Sequence, residues 1–415
     1  MTQKPQLFYG WIIVFLAFMS ITTYGLFYSY SVFLEPLENE LHSSRAAISA
    51  VYTIYMVVYS TCAILMGSLS DRYGPQKTLW LAAFLIGGGI SLCSLTTSIW
   101  QLYLFFGVVG ALGHGAIWVV PTSTINRWFI QRRGLAVGIA VSGVGVGLLV
   151  VPPITAQIIN MYSWQVAFIV LGITFFTING IAGLFIRGRP EDKGLRPFGE
   201  IEQETSISKN SSNSKDFPVT EALKTKAFWM ICVVPLFCFS AEQMVLVHIV
   251  PYSTGIGISS TQASLGLSFL GVGTILGRVT SGVVSDKIGA VPTLVACCII
   301  EAAAIFCLLA VNSPVTLYLT MLLLGIGYGG WVVLCAVILA GFFGTKNLGT
   351  ILGIWFMCGA PAGILGPLMG GIVFDFTKSY FLAVLISGII CIVAVILAAL
   401  IKPPHRRVLD PSSQG

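Results

Sequence analysis

Charge is what this sequence has least of. Asp, Glu, Lys and Arg together make up only 9% of the 415 residues, while 56% are hydrophobic. A soluble domain carries about 25% charged residues, so a water-soluble globule is excluded. Histidine is scarcer still, with four in the whole chain. The ten cysteines (Cys62, Cys93, Cys232, Cys238, Cys297, Cys298, Cys307, Cys335, Cys358 and Cys391) all fall in apolar stretches, and none stands at zinc-ligand spacing. They read as small packing residues, with neither a disulfide framework nor a metal site expected. No glycine-rich phosphate loop and no cluster of nucleophile and base is present, so neither an enzyme nor a bound cofactor is expected. Only about a dozen residues follow Lys402, so a membrane sensor, which would carry a sizeable signalling domain, is not expected.

What the chain has instead is long apolar runs. A helix needs about 20 apolar residues to cross a bilayer. Twelve segments meet that need, at roughly 10–34, 45–67, 78–98, 101–125, 135–158, 163–186, 226–250, 262–284, 291–311, 314–340, 348–373 and 379–401. The first is long and lacks a small-residue cleavage site, so it reads as a retained helix. With the N-terminus inside, 19 of the 22 Lys and Arg residues face the cytoplasm. Only Arg45 and Lys378 fall outside, and Arg278 lies within the membrane. This asymmetry predicts an all-α, multi-pass protein of the cell (inner) membrane with both termini cytoplasmic. The net charge of +6 therefore reports topology and anionic lipid, not nucleic acid.

Residues 187–225 break the apolar pattern with a polar, serine-rich stretch, a cytoplasmic linker. The expected organisation is a six-helix bundle over 1–186, the linker over 187–225, a second bundle over 226–402 and a cytoplasmic tail over 403–415. The bundles resemble each other. GSLSDRYG at Gly67–Gly74 matches GVVSDKIG at Gly282–Gly289, an offset of 215 residues. WFIQRRGLAVG, from Trp128, matches FFGTKNLGTILG, from Phe342, at an offset of 214–215. Two motifs at one offset mark a six-plus-six repeat, which places a binding site near the midplane where the halves meet.

The GxLxDRxG pattern at Gly67, Leu69, Asp71, Arg72 and Gly74 resembles the loop motif of the major facilitator superfamily. Physically, Asp71 stands at a cytoplasmic helix end, where it can bond helix N-termini and basic side chains and latch one conformation. Asp71, Arg72 and Asp286 are the expected latch residues. YGWIIV at 9–14, YSYSVFLEPLENE at 28–40, NRWF at 126–129, HIVPYSTGIGIS at 248–259 and GRVTSGVVSDKIG at 277–289 resemble, more narrowly, the monocarboxylate transporters, here in a bacterial form, and the related oxalate/formate exchangers.

Arg278 is the most informative residue. A cation near a bilayer midplane costs roughly 2.5–3.5 kcal/mol on insertion scales, so it is expected to face a cavity and meet an anion. Eight residues separate it from Asp286, which puts it about 12 Å inside the membrane. The resemblance implies that this arginine pairs with the substrate carboxylate, a task suited to its permanent charge and planar fork. A structural ion pair with Glu242 or Glu301 is the competing reading.

The eleventh segment, LGIWFMCGAPAGILG at 352–366, lacks the lysine that oxalate exchangers carry there. One fixed cation favours one carboxylate. Monocarboxylate carriers of mammals place an aspartate one turn before the arginine and a lysine in the first helix; here those positions hold Thr274 and Tyr28. The candidates for proton coupling are then His248, Glu242, or Arg278 binding carboxylate and proton together. His248 reads equally well as an outer-gate residue.

By resemblance the first, fourth, seventh and tenth helices line the cavity. Tyr328 and Trp118 match aromatic positions of the exchangers, and Trp331, Leu26 and Tyr24 complete the expected pocket. His114 reads as either a packing or a cavity residue. Glu301 lies on a helix that is usually peripheral. Glycines 138, 143, 145 and 147 in the fifth segment and 353, 359, 363 and 366 in the eleventh, with Pro152, Pro153, Pro361 and Pro367, are assigned to helix sliding and bending. The expected function is secondary transport of a small monocarboxylate of the lactate or pyruvate type, with a proton, by a monomer. An anion exchanger of the oxalate/formate type is the alternative, followed by a general carrier of drugs or sugars.

Overall fold

The computed structural model describes residues 8–43, 45–200 and 216–404. Eleven helices are long and apolar enough to cross a membrane: Ala50–Tyr73, Pro75–Leu95, Ile99–Trp128, Arg133–Met161, Trp164–Phe185, Lys226–Gly255, Leu265–Ile288, Ala290–Leu308, Pro314–Phe343, Leu348–Thr377 and Phe381–Ala399. These are the second to twelfth spans. The first span is two shorter helices, Tyr9–Thr22 and Gly25–Leu41, and the second and eighth begin earlier, at Arg45 and Ser260. The result is the expected all-α architecture of two six-helix halves.

Start signals are local. Ser259, Ser313, Ser163 and Thr225 each accept a hydrogen bond from a backbone N–H three residues on, at the head of the eighth, tenth, sixth and seventh spans. Each satisfies one of the donors a helix leaves free. The repeat extends to backbone geometry. Gly74 (φ 90°, ψ 157°) and Gly289 (φ 96°, ψ 153°) make the same turn after the second and eighth spans, in a region of φ that favours glycine.

Several spans are irregular, each for a visible reason. The first breaks at Thr23, whose Oγ1 bonds back to Ser20 O at 2.6 Å. The fourth contains a π-helical stretch, Tyr103–Gly110. The fifth parts at Ser142, whose Oγ bonds Ile139 O at 2.6 Å. The eleventh parts at Ala360–Pro361, where proline has no N–H to give.

The halves meet mainly on the cytoplasmic side. The second span packs on the inner part of the eleventh, Leu348–Gly359, and the eighth on the fifth. The outer part, Ala362–Thr377, packs on the seventh and twelfth spans of its own half. Glycine permits the approach: a Cβ on Gly138 would lie 2.3 Å from Arg278 O, and one on Gly353 2.5 Å from Ala63 O. Since Ala63 and Arg278 are also 215 apart, these are the same contact made twice. The linker's start is tied down at this end too, with Phe198 bridged to Phe129 and its ring against Phe8 and Trp11. The conformation is thus closed to the cytoplasm.

Candidate functional site

Two carboxylates hold that closure, each reaching across to the other half. Asp71 Oδ1 accepts from Gly349 N at 3.1 Å, and its Oδ2 accepts from Thr350 N at 2.8 Å and Thr350 Oγ1 at 3.0 Å. Asp286 Oδ1 accepts from Gly134 N at 2.9 Å and its Oδ2 from Leu135 N at 3.0 Å. Both sit at the first turn of a spanning helix, where unpaired N–H groups and the helix dipole favour a negative charge.

The geometry is pseudo-symmetric, but its charge is not. Arg127 Nη2 pairs with Asp71 Oδ1 at 2.6 Å, and its Nε donates to Thr345 O at 3.0 Å. Arg72, expected in the latch, is exposed, with its guanidinium over the Tyr73 ring at 5.3 Å. Arg127 takes that place, and no local motif announces it, because it lies 56 residues from its partner.

Arg278 is 2% exposed. Its Nη1 donates to Val141 O, in the opposite half, at 3.0 Å. That acceptor exists because the fifth span breaks: Gly145 N turns to Ser142 O at 3.0 Å, leaving the Val141 carbonyl without its usual helical donor. The guanidinium carbon stands 5.9 Å from the Tyr328 ring centroid, and Nε has no hydrogen-bond partner. Among the described residues Asp71–Arg127 is the single ion pair within 4.0 Å, so neither Glu242 nor Glu301 forms a salt bridge with Arg278. Thr274, one turn earlier, spends its hydroxyl on Leu270 O at 2.8 Å.

Around this cation the second half supplies rings. Tyr328 stacks on Phe239 at 6.2 Å and meets Trp331 edge-on at 5.7 Å. Glu242, buried, follows Phe239 by one turn of the seventh span, with Gln243 Nε2 3.4 Å from its Oε2. From the first half, Trp118 stacks on Trp355 at 5.3 Å and lies beside Phe356 at 5.7 Å. Both partners come from the eleventh-span stretch without a lysine. Tyr24 and Tyr59 share a hydroxyl bond of 2.8 Å, and Tyr59 meets Phe356 at 5.1 Å. Leu26 is fully buried just beyond the break in the first span. The side chain of Tyr28 lies outside the described residues.

His248 is placed elsewhere, toward the outer end. Its Nε2 lies 3.0 Å from Pro367 O and its Nδ1 3.3 Å from the Tyr380 hydroxyl. A carbonyl only accepts, so Nε2 carries a hydrogen, and a neutral ring accepts from Tyr380 at Nδ1. Glu301 is fully buried, its carboxylate beside the Cys238 and Cys391 thiols.

Two six-helix halves, with a buried guanidinium reaching from one to the other and carboxylates bridging them at one mouth, have the build of a membrane transporter. The chain belongs to the major facilitator superfamily, whose family model matches residues 10–257 and 237–415. It is similar to monocarboxylate transporter 12 of Xenopus laevis, with 28% identity across 98% of this chain and 91% of that protein. The oxalate:formate antiporter of Oxalobacter formigenes is 25% identical across 92% of this chain and 89% of its own. Among solved structures, the proton:xylose symporter XylE superposes with a TM-score of 0.77 at 16% identity, over 95% of this chain and 96% of that one; that likeness concerns the fold. The chain is therefore a multi-pass membrane transporter related to monocarboxylate transporters and an oxalate:formate antiporter.

Proposed function

We propose that this transporter carries small monocarboxylates of the lactate and pyruvate type together with a proton. The observation that carries the reading is Arg278, a buried guanidinium with no carboxylate partner. Sealing an unpaired charge is costly, so the site is built to receive an anion before it closes. The carboxylate pairs with the guanidinium fork, displacing the weaker bond to Val141 O. The Tyr328 hydroxyl holds the carboxylate or a 2-hydroxyl, and Trp118 and Leu26 cover the apolar end. A single cation supports a single carboxylate.

Closure is favourable once the cavity is neutral. The carboxylate paired with Arg278 supplies that neutrality, and His248, Glu242 and the Arg278-bound carboxylate itself are the candidate carriers of the accompanying proton. The latches of Asp71 and Asp286 then release as the halves rock.

The test is uptake of labelled lactate into proteoliposomes under an inward proton gradient. Accumulation that follows the gradient without internal anion is the expected result. Uptake that ignores the gradient and needs an internal anion replaces this reading with exchange of the oxalate/formate type.

A further inference from the structure

His114 stands in the fourth span, 1% exposed, and neither ring nitrogen has a hydrogen-bond partner. A neutral imidazole carries one N–H donor and one acceptor lone pair. Leaving both unused in a packed interior is costly, and such exceptions call for a reason. Three perpendicular phenol rings enclose it: Tyr24 at 4.6 Å, Tyr59 at 5.6 Å and Tyr55 at 5.7 Å between centroids.

Its depth is that of Arg278. A Cβ on the adjacent Gly115 would lie 2.9 Å from Ala63 N, and Ala63 is the repeat counterpart of Arg278. Its neighbours lead to the seam between the halves, since Tyr59 contacts both His114 and Phe356 of the opposite half. Both spans that frame it are irregular here: the first breaks at Thr23, next to Tyr24, and the fourth leaves its π-helical stretch at Gly110. Such departures recur at functional sites and in the discontinuous helices of transporters.

We infer that His114 is the group that binds the transported proton, set in the first half opposite the anion-binding Arg278 of the second. The inference rests on the proposed proton-coupled transport. A proton reaching the imidazole lone pair makes an imidazolium; when the proton leaves, the neutral ring returns, and no other bond changes. The Tyr24–Tyr59 hydroxyl pair, at 2.8 Å, adjoins His114 and, through Tyr59, Phe356 of the opposite half, and offers the path. The groups facing His114 are the phenols of Tyr24 on the first span and of Tyr55 and Tyr59 on the second. The third span packs alongside at Gly113 with Ala82, Leu85 and Ile86 and brings no charge. With Arg278 paired to a carboxylate, an imidazolium at the same depth faces one cation fewer, so substrate and proton favour each other's binding.

Two measurements on the purified full chain decide it. Gly113–His114 is the single Gly-His pair among the four histidines, so glycine carbonyl and histidine nitrogen labelling assigns its NMR signal without any variant. Saturating lactate is expected to convert that ring from one protonated nitrogen to two, at a pH between about 5 and 8. In proteoliposomes, His114→Gln is expected to lose gradient-driven lactate accumulation at least tenfold, while exchange of internal for external lactate at equal pH falls less than threefold. A ring that stays singly protonated throughout, or a variant that accumulates lactate like the wild type, overturns the assignment. A wild type that ignores the gradient removes the proposed coupling itself, and this inference with it. If His114→Gln does not fold, the wild-type signal decides alone.

Discussion

At the scale of single residues, Arg278 is a charge placed where it is expensive and left without a carboxylate. Its fork, not only its charge, is expected to count. Arg278→Gln should lower lactate affinity by about a hundredfold or more and Arg278→Lys by about tenfold, in line with roughly 1.5–3 kcal/mol for a hydrogen bond to a charged group. Calorimetry on purified protein checks both; unchanged affinity in the glutamine variant removes Arg278 from the site. This residue was legible in the sequence because a lone arginine in an apolar helix needs no context to stand out. Its surroundings were not. The Val141 carbonyl is available only because Gly145 bonds Ser142 instead, and a chain position does not reveal which carbonyl a helix break sets free. The Tyr59 and Tyr55 rings around His114 were hidden likewise, since tyrosines in an apolar helix look like packing until the fold brings them onto one imidazole.

At the scale of helices, the closed cytoplasmic mouth depends on two N-terminal carboxylate caps and on backbones that touch. Asp286→Asn should shift the population toward the inward-open form by about tenfold, from the loss of charge on two short bonds to backbone N–H. Asp71→Asn should shift it further, because Arg127 then loses its partner as well. Spin-label distances between the cytoplasmic ends of the second and eleventh spans report the shift, and identical distributions in both variants would dismiss the latch.

The glycine contacts make a separate prediction. Gly353→Val places side-chain atoms where a Cβ alone would come within 2.5 Å of Ala63 O. It should prevent cytoplasmic closure and abolish net uptake while lactate still binds from the inside. The repeat of GSLSDRYG and GVVSDKIG announced both turns and both carboxylates, because a six-plus-six duplication keeps its spacing. The asymmetry escaped it, since the match of Trp128 with Phe342 sets Arg127 against Gly341, and Arg127 reaches Asp71 only through the folded structure.

At the scale of the whole molecule, one fixed cation, the carboxylate that neutralises it and one accompanying proton move between two halves that alternate around them. The twelve spans and their orientation follow from apolar runs and the placement of Lys and Arg, which is why the architecture could be read directly from the chain. Coupling could not, because it depends on which polar groups are left unpaired after packing. If one carboxylate travels with one proton, transport moves no net charge. The decisive measurement is lactate accumulation in proteoliposomes with a pH gradient imposed and the membrane potential first clamped to zero, then set to either sign. Accumulation that matches the proton gradient and ignores the potential is the expected result; accumulation that follows the potential, or that requires an internal anion at any gradient, contradicts proton-coupled symport.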